Sequence, residues 1–189
     1  MRLFLARHGE TEENRKGIIQ SYMEGTLSER GKEQSKKLSS RLSMEHLDVI
    51  YSSDAKRAID TAEYVWDFHS QCPLILSREL READFGKYAG RSKRGLDFRN
   101  LEGIESQEQL QQRAEKFYRS LLQDCLYSNV LVISHAGLIK SLMSVIEGIS
   151  SEKIWDMPTP ENTALSLFNI TQDATELIYQ NCLYHLAEK

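Results

Sequence analysis

The sequence predicts an α/β fold: a three-layer sandwich with a mostly parallel central sheet and helices on both of its faces. Short apolar runs alternate with helical patterns along the chain, and this alternation is typical of a parallel sheet covered by helices. The length of 189 residues fits one domain, and the sequence contains no repeat, low-complexity tract or linker rich in proline, glycine or serine. We therefore expect residues 1–189 to form a single domain.

Four short apolar runs are the predicted parallel strands. Residues 2–6 and 129–134 are almost continuously apolar, as in strands that are buried on both faces. Residues 47–52 and 74–76 are weaker candidates, and the second of these is entered through Pro73. Polar residues follow each run, so we expect each strand to end there.

Three helical patterns separate these strands, over residues 28–42, 54–68 and 106–126. The third begins with Ser106 and Gln109, which have the spacing of a capping box. Its apolar residues recur every three or four positions, as on one face of a helix. They are Leu110, Ala114, Phe117, Leu121 and Cys125.

The remaining segments are a hairpin and a long loop. Residues 163–170 and 176–182 alternate apolar and polar side chains on either side of residues 172–174, which predicts a hairpin-like pair of strands. Residues 78–103 show no clean periodicity. Because a long aperiodic stretch within a compact domain is usually functional, we expect a lid or substrate loop over about residues 78–105.

Charge and cysteine content exclude several classes of protein. The formal net charge is -4, whereas general binders of nucleic acid or anionic membranes carry a positive surplus. The three cysteines, Cys72, Cys125 and Cys182, form no CxxC pair, and their odd number suits a reducing compartment. The apolar run near the N-terminus is too short for a signal peptide or a membrane span. We expect a cytoplasmic protein that binds neither nucleic acid nor a membrane.

The residues that follow three of the strands carry the strongest functional signal. Ligands of open α/β sheets bind beyond the carboxyl ends of the strands. Arg7 and His8 follow the first parallel strand, and His135 follows the fourth. Arg57 lies in the first helical turn after the second strand. Two imidazoles and two guanidiniums suit a phosphoryl group, since arginine pairs with its oxygens and imidazole serves as nucleophile or donor.

Such a site also needs a carboxylate to move a proton, and the long loop provides three. Glu79, Glu82 and Asp84 lie within a few residues of one another, so spacing alone leaves the choice open. The two histidines and Arg57 also have structural interpretations, as a partly buried histidine, a residue at a helix N-terminus and a surface arginine. Their convergence at one edge of the sheet favours the functional interpretation.

Seven motifs make the sequence similar to a known family. They are RHGET at 7–11 with Asn14, IQ at 19–20, TLSERGKEQ at 26–34, YSSDAKRAIDTA at 51–62, LREADFG at 80–86, SHAG at 134–137 and YHL at 184–186. In this order they resemble the histidine phosphatase superfamily, phosphoglycerate-mutase-like branch. The similarity covers nearly the whole chain, and it implies the fold of that branch.

The resemblance implies a role for each matched side chain. His8 is the phosphorylated nucleophile, and Glu82 is the proton donor. The residues that hold the phosphoryl group are Arg7, Asn14, Gln20, Arg57, His135 and Ala136. Ala136 stands where glycine is frequent, but its backbone amide remains a donor. Departures from the family pattern at Ser21, Glu24 and residues 88–90 bear on substrate preference more than on activity.

We predict a phosphomonoester hydrolase that acts on a small phosphorylated metabolite through a phosphohistidine intermediate. Family mutases resemble this chain but carry a longer insertion between the Glu82 motif and the second histidine, so phosphoglycerate mutase is the weaker alternative. A phosphoprotein phosphatase and a non-catalytic phosphate-binding module also remain open. The predicted partner is a small phosphomonoester, and homodimer formation is left open.

The sequence predicts neither a metal nor another cofactor. It contains no HxxxH, HxH or CxxC pair, which are common spacings of metal ligands. It also lacks the GxxxxGK[ST] and GxGxxG patterns of nucleotide-binding loops.

The loop over residues 78–99 has a local positive surplus, with seven basic and four acidic residues. Such a surplus would steer an anionic substrate towards the site. A solvated, charged loop without a role in binding explains it equally well.

Overall fold

The chain forms a six-stranded sheet flanked by helices, as described for residues 1–124 and 127–187 in a computed structural model. The strands are β1 (Arg2–Arg7), β2 (Val49–Ser53), β3 (Leu74–Ser77), β4 (Asn129–Ser134), β5 (Leu165–Ile170) and β6 (Thr175–Cys182). The helices are α1 (Glu12–Arg15), α2 (Glu29–Leu42), α3 (Lys56–Trp66), α4 (Gln107–Asp124) and α5 (Ala136–Glu147). The predicted α/β sandwich with a mostly parallel sheet is confirmed.

Strand β1 lies in the interior of the sheet, whose order is β3-β2-β4-β1-β5-β6. The pairs β1–β4, β4–β2 and β2–β3 are parallel, whereas β5 is antiparallel to both β1 and β6. Strands β5 and β6 are the predicted hairpin. Within the β1–β4 pair, Arg7 lies opposite Ser134, so the chain leaves both strands at the same edge of the sheet.

The side chains of β1 alternate between two hydrophobic cores. Leu3 and Leu5 pack into the core that includes α4 and α5 side chains. Phe4 and Ala6 pack into the core that includes α2 and α3 side chains. All four are at most 1% exposed. Because helices cover both faces, this strand has no solvent side, which explains its continuous apolar run.

Two helix starts follow directly from local sequence. Ser28 caps α2, since its Oγ accepts a hydrogen bond from the Gly31 amide at 3.0 Å. At the start of α4, the Ser106 Oγ accepts from the Gln109 amide at 3.1 Å and the Gln109 Oε1 accepts from the Ser106 amide at 2.9 Å. The predicted capping box is therefore confirmed. The predicted end of this helix, including Cys125, lies outside the described residues.

Helix α5 follows β4 and is not among the three helical patterns predicted from the sequence. Seven consecutive residues of this helix, from 138 to 144, are buried. Its apolar residues nevertheless recur at helical spacing, at positions 138, 139, 142, 143 and 146, so periodicity could have revealed it. Even α5 has only 12 residues, and no helix within residues 1–124 and 127–187 is both long and apolar enough to cross a bilayer.

The predicted loop is ordered by short turns and by backbone pairing. Three short 3-10 helices interrupt it, at Arg78–Leu80, Gly86–Tyr88 and Phe98–Asn100. Residues 90–93 run beside residues 17–19, and three backbone hydrogen bonds of 2.8 to 2.9 Å join the two segments. This pairing fixes the loop against the start of the chain. Its motion as a lid and the single-domain boundaries stay predictions.

Candidate active site

A cavity of about 310 Å³ lies at the edge of the sheet where β1 and β4 end. Its volume suits a small ligand. The sequence-predicted residues in its wall are Arg7, His8, Asn14, Gln20, Arg57, Glu82 and Ala136. A larger groove of about 910 Å³, lined in part by Tyr64, Trp66 and Pro73, contains none of these residues. The smaller cavity is therefore the candidate active site.

His8 is nearly buried at this cavity, with 3% of its surface exposed. Its Nδ1 lies 2.7 Å from the backbone oxygen of Gly9. Because a carbonyl oxygen only accepts, Nδ1 carries the proton and Nε2 carries the lone pair. The Nε of Arg57 donates to that Nε2 at 3.3 Å. These two neighbours select the neutral tautomer that presents Nε2 as a nucleophile.

The environment of His8 disfavours its cation. Burial lowers the pKa of His8 well below the ordinary value of 6.5, and the charges of Arg57 and Arg7 lower it further. The imidazole therefore stays neutral at neutral pH. A neutral imidazole is the form that can attack phosphorus, because protonation would occupy the lone pair of Nε2.

The guanidinium groups of Arg7 and Arg57 are two fixed positive charges beside His8. Arg57 is 1% exposed, and burial lowers its pKa to about 10, so it remains charged at neutral pH. Its Nη2 donates to the Ser21 backbone oxygen at 3.0 Å, and its Nη1 donates to the Met23 backbone oxygen. The Nη1 of Arg7 donates to the Pro160 backbone oxygen at 2.8 Å. The buried Nε of Arg7 has no partner within the described residues, so it can bind a ligand oxygen.

His135 lies behind the cavity wall rather than in it. It is fully buried, and its ring centroid is 5.1 Å from that of His8. Its Nε2 lies 2.8 Å from the Oγ of Ser53, whereas its buried Nδ1 has no partner among the described residues. Burial lowers the pKa of His135 well below 6.5, so it is a neutral hydrogen-bonding group. Ser53 was not expected from the sequence, although it directly precedes the predicted Asp54 helix start.

Glu82 contacts the start of α5 from the long loop. Its Oε1 accepts from the Gly137 amide at 3.0 Å and from the Ala83 amide at 2.9 Å. A Cβ at position 137 would lie 2.5 Å from this oxygen, so a side chain there would displace the carboxyl group. Glu79 instead pairs with Lys116 at 2.6 Å. Neither Glu79 nor Asp84 lines the cavity, so the geometry favours Glu82 as the proton donor.

Asn14 and Gln20 lie in the cavity wall together with Arg7 and Arg57. The Oδ1 of Asn14 accepts from the Thr11 amide at 3.2 Å in the capping box of α1. Its Nδ2 has no acceptor within residues 1–124 and 127–187, and thus remains available for a ligand oxygen. Gln20 also lines the cavity and is 7% exposed, and its buried Oε1 has no hydrogen-bond partner among the described residues.

Two lysines in the cavity wall were missed by sequence reasoning. Lys140 lies on α5, four residues after Ala136, and Lys93 lies in the long loop. A helix prediction after His135 would have placed Lys140 on the face of Ala136, because residues four apart share a helix face. No local signal distinguishes Lys93 from the other six basic residues of its loop. Of those seven, Lys93 is the one that lines the described cavity.

The imidazoles and carboxylate of the site do not form a metal centre. Within residues 1–124 and 127–187, no group of three His, Cys, Asp or Glu side chains could hold a metal ion. A zinc site would need three or four such ligands. That the reaction uses no metal stays a prediction.

Comparisons with known proteins agree with this geometry. A family model described as the histidine phosphatase superfamily (branch 1) matches residues 3–183. Phosphoserine phosphatase 1 of Hydrogenobacter thermophilus is 30% identical over 203 residues, covering 100% of this chain and 95% of that protein. The adenosylcobalamin/alpha-ribazole phosphatase of Escherichia coli is 31% identical over 170 residues, covering 82% and 83%. The structure of Bacillus stearothermophilus YhfR superposes with a TM-score of 0.90 at 24% identity, covering 98% of this chain and 99% of that one.

Proposed function

Since this chain belongs to the histidine phosphatase superfamily (branch 1), we propose that it hydrolyses its substrate through a phosphohistidine formed on Nε2 of His8. The chain is a phosphatase of small phosphorylated metabolites, as its sequence predicts. We propose below which residues perform the reaction and which metabolites are candidate substrates. The phosphoserine and α-ribazole phosphate named for its relatives are two candidate substrates.

In the first step, the Nε2 lone pair of His8 forms a bond to phosphorus as the ester P–O bond breaks. Glu82 gives its proton to the leaving oxygen, so the alcohol departs as a neutral molecule. Arg7 and Arg57 stabilise the negative oxygens of the transferring group. The resemblance also counts His135 among the phosphoryl-binding residues, but its ring is fully buried behind the cavity wall, whereas Arg7 and Arg57 are donors that line the cavity.

In the second step, water attacks the phosphorus of the phosphohistidine. The Glu82 carboxylate takes a proton from that water, and the P–N bond breaks to restore the Nε2 lone pair. Phosphate leaves, and both Glu82 and His8 return to their starting protonation states. Covalent catalysis thus divides one difficult displacement into two easier ones.

The tautomer of His8 is the observation that carries this proposal. Gly9 binds the Nδ1 proton and Arg57 faces Nε2, so the nucleophilic atom is selected before substrate binds. A non-catalytic phosphate-binding module would have no need of a neutral imidazole, because a protonated ring binds phosphate more strongly. The geometry therefore supports an enzyme.

The test is phosphate release from 4-nitrophenyl phosphate by wild type and by His8→Ala. We expect His8→Ala to abolish turnover, because it removes the atom that bonds to phosphorus. Rapid acid-free quenching of the wild type should trap a phosphoryl group on His8, visible by mass spectrometry as an acid-labile adduct. His46→Ala is the matched control, since His46 is exposed and lies outside the cavity.

Thermal unfolding should show that His8→Ala is still folded. Turnover by a folded His8→Ala protein, or a phosphoryl adduct on a residue other than His8, would refute the assignment of the nucleophile.

A further inference from the structure

Ser21 adopts a backbone conformation that is unfavourable for a serine. Its φ is +48°, in the left-handed region where a Cβ atom is crowded and glycine is not. The residue is 3% exposed and lies in the wall of the active-site cavity. Strain of this kind is concentrated at functional sites, where the surrounding structure enforces it. The serine side chain should therefore do something that glycine could not do at this position.

The hydroxyl group of Ser21 binds the segment that directly follows Glu82. Its Oγ accepts a hydrogen bond from the Phe85 amide at 2.9 Å and donates to the Ala83 backbone oxygen at 3.3 Å. The Oδ1 of Asp84 lies 3.4 Å from the same Oγ and is a second acceptor for its proton. One hydroxyl group thus contacts three consecutive residues of the long loop.

The backbone of Ala83 connects this hydroxyl group to the carboxyl group of Glu82. The Ala83 amide donates to the Glu82 Oε1 at 2.9 Å, while the Ala83 backbone oxygen accepts from the Ser21 Oγ. Ala83 is 4% exposed and also lines the cavity. A shift of Ala83 would move one of the donors that fix the Glu82 carboxyl group. Ser21 therefore acts on Glu82 indirectly, through this backbone.

The backbone oxygen of Ser21 binds the other side of the reaction site. The Nη2 of Arg57 donates to it at 3.0 Å, and the Nε of Arg57 donates to the Nε2 of His8 at 3.3 Å. Ser21 thus contacts both the arginine beside the nucleophile and the segment of the proton donor. The two contacts use different atoms, so a change of side chain removes the hydroxyl group and keeps the oxygen that binds Arg57.

We propose that the Ser21 hydroxyl group is a positioning group for proton transfer, which holds residues 83–85 so that the Glu82 carboxyl group meets the leaving oxygen of the ester. The inference rests on the proposed function, because it takes His8 as the nucleophile and Glu82 as the proton donor. Loss of the hydroxyl group should displace Glu82 and leave the attack by His8 unaffected. Such a displacement slows only the departure of a leaving group that needs a proton.

Two variants remove the hydroxyl group with opposite effects on the backbone. Ser21→Gly relieves the strain at φ +48°, whereas Ser21→Ala keeps it. The two substrates are benzyl phosphate, which needs a proton to leave as an alcohol, and 4-nitrophenyl phosphate, which has a ring of similar size and leaves as a phenolate. Single-turnover rates of alcohol or phenolate release measure the first step for both.

We expect both variants to slow the first step with benzyl phosphate by roughly 10- to 100-fold, as a misplaced catalytic group does. The rate with 4-nitrophenyl phosphate should stay close to that of wild type. Ser92→Ala is the matched control, because Ser92 is an exposed serine of the long loop whose Oγ accepts from the Arg94 amide outside the described cavity. This control should keep the wild-type rates with both substrates.

A double variant tests whether the hydroxyl group acts through Glu82. Two changes that impair the same group are not additive. Adding Ser21→Gly to Glu82→Gln should therefore slow the first step with benzyl phosphate no further than Glu82→Gln does alone. A role of Ser21 in stability alone would not produce this dependence on the leaving group and on Glu82.

The outcomes separate this inference from the proposed function. Equal slowing of the two substrates by Ser21→Gly, full additivity in the double variant, or wild-type rates in Ser21→Gly overturns the positioning role and leaves the phosphohistidine mechanism intact. Equal slowing of the two substrates by Glu82→Gln alone would show that the proton donor itself is wrong, and the inference would be lost with it. Thermal unfolding confirms that each variant is folded, and Ser21→Gly, whose backbone is relaxed, decides the matter even if Ser21→Ala is unstable.

Discussion

Glu82 is bound mainly through one of its two carboxyl oxygens. Two backbone amides, those of Ala83 and Gly137, donate to Oε1. The Gly137 amide reaches Oε2 only at 3.4 Å. The carboxyl group is thus fixed in place, while Oε2 can hold the proton for the leaving oxygen. Because Oε2 would supply the proton to the leaving oxygen, loss of this proton should slow mainly those substrates that have poor leaving groups.

Replacing Glu82 with Gln should slow the hydrolysis of an alkyl phosphate by the roughly 10²- to 10⁴-fold typical of a lost general acid. The first step with 4-nitrophenyl phosphate should slow much less, because 4-nitrophenolate leaves without a proton. Water attack would then limit turnover, so we expect a burst of 4-nitrophenolate and accumulation of phosphohistidine. Stopped-flow absorbance and mass spectrometry measure these two quantities.

Glu79→Gln is the control, since Glu79 pairs with Lys116 outside the cavity. Equal slowing of alkyl and aryl phosphates by Glu82→Gln, without a trapped intermediate, would assign the proton transfer to another group.

At the scale of elements, helix α4 holds the segment that carries Glu82. Arg113 of this helix donates to the backbone oxygens of Glu79, Arg81 and Glu82 at 2.7 to 3.1 Å. It also pairs with Glu105 at 2.8 Å, and both side chains are about 15% exposed. The Arg113 guanidinium therefore joins the loop to the helix, because three carbonyl groups of the loop accept hydrogen bonds from it.

Arg113→Met should lower the free energy of unfolding by about 3 to 5 kcal/mol, because it leaves Glu105 and three carbonyl oxygens without their donor in a mostly buried place. Arg119→Met on the same helix is the control: its pair with Glu115 is exposed, and such pairs contribute about 0 to 1 kcal/mol. Urea unfolding measures both. Similar losses in the two variants would show that Arg113 does not hold the loop.

The parts of the fold that the sequence predicts are those with a local signal. The continuous apolar run at residues 2–6 indicates a strand that is buried on both faces. The polar residues that follow this run indicate that the strand ends at a binding edge of the sheet. The positions of His8 and His135 at one edge were predictable for this reason. Helix α5 was not predicted, although the apolar residues at 138, 139, 142, 143 and 146 have helical spacing.

The two lysines were missed for different reasons. The place of Lys140 depends on α5, a helix that was not predicted although its sequence has a helical period. The place of Lys93 depends on backbone bonds to residues 17–19, some 75 residues earlier in the chain, and no local pattern encodes such a pairing. Sequence therefore predicts the cavity residues that follow β1 and β4 better than it predicts the two lysines.

At the scale of the whole molecule, three histidines with a lowered pKa make stability depend on pH. Burial lowers the pKa of both His8 and His135 well below 6.5 and that of His185 to about 4. The unfolded chain binds protons at these positions below about pH 6.5, whereas the folded chain does not. The unfolded state therefore gains protons first as the pH falls, and the folded state is destabilised.

We expect stability to be highest above about pH 6.5 and to fall steadily between pH 6.5 and 4. Each fully buried histidine contributes a slope of up to about 1.4 kcal/mol per pH unit in this range. Urea unfolding at pH 7, 6 and 5 measures the slope. His185→Gln should make it shallower, while His46→Gln, a change at an exposed site, should leave it close to that of wild type. A flat profile from pH 7 to 5 would contradict the burial of these rings as neutral groups.

The interior place of β1 also affects how the molecule is made. This strand is synthesised before the other five, yet its two neighbours in the sheet are β4 and β5, so that Arg2 pairs with Asn129 and Asn169. Contacts between such distant parts of a chain form late and slow folding, because the intervening loop must be closed first. On the ribosome, β1 must wait for more than a hundred further residues before either neighbour emerges. The pocket around His8 should therefore be among the last regions to form, and a nascent chain that ends before β5 should be inactive.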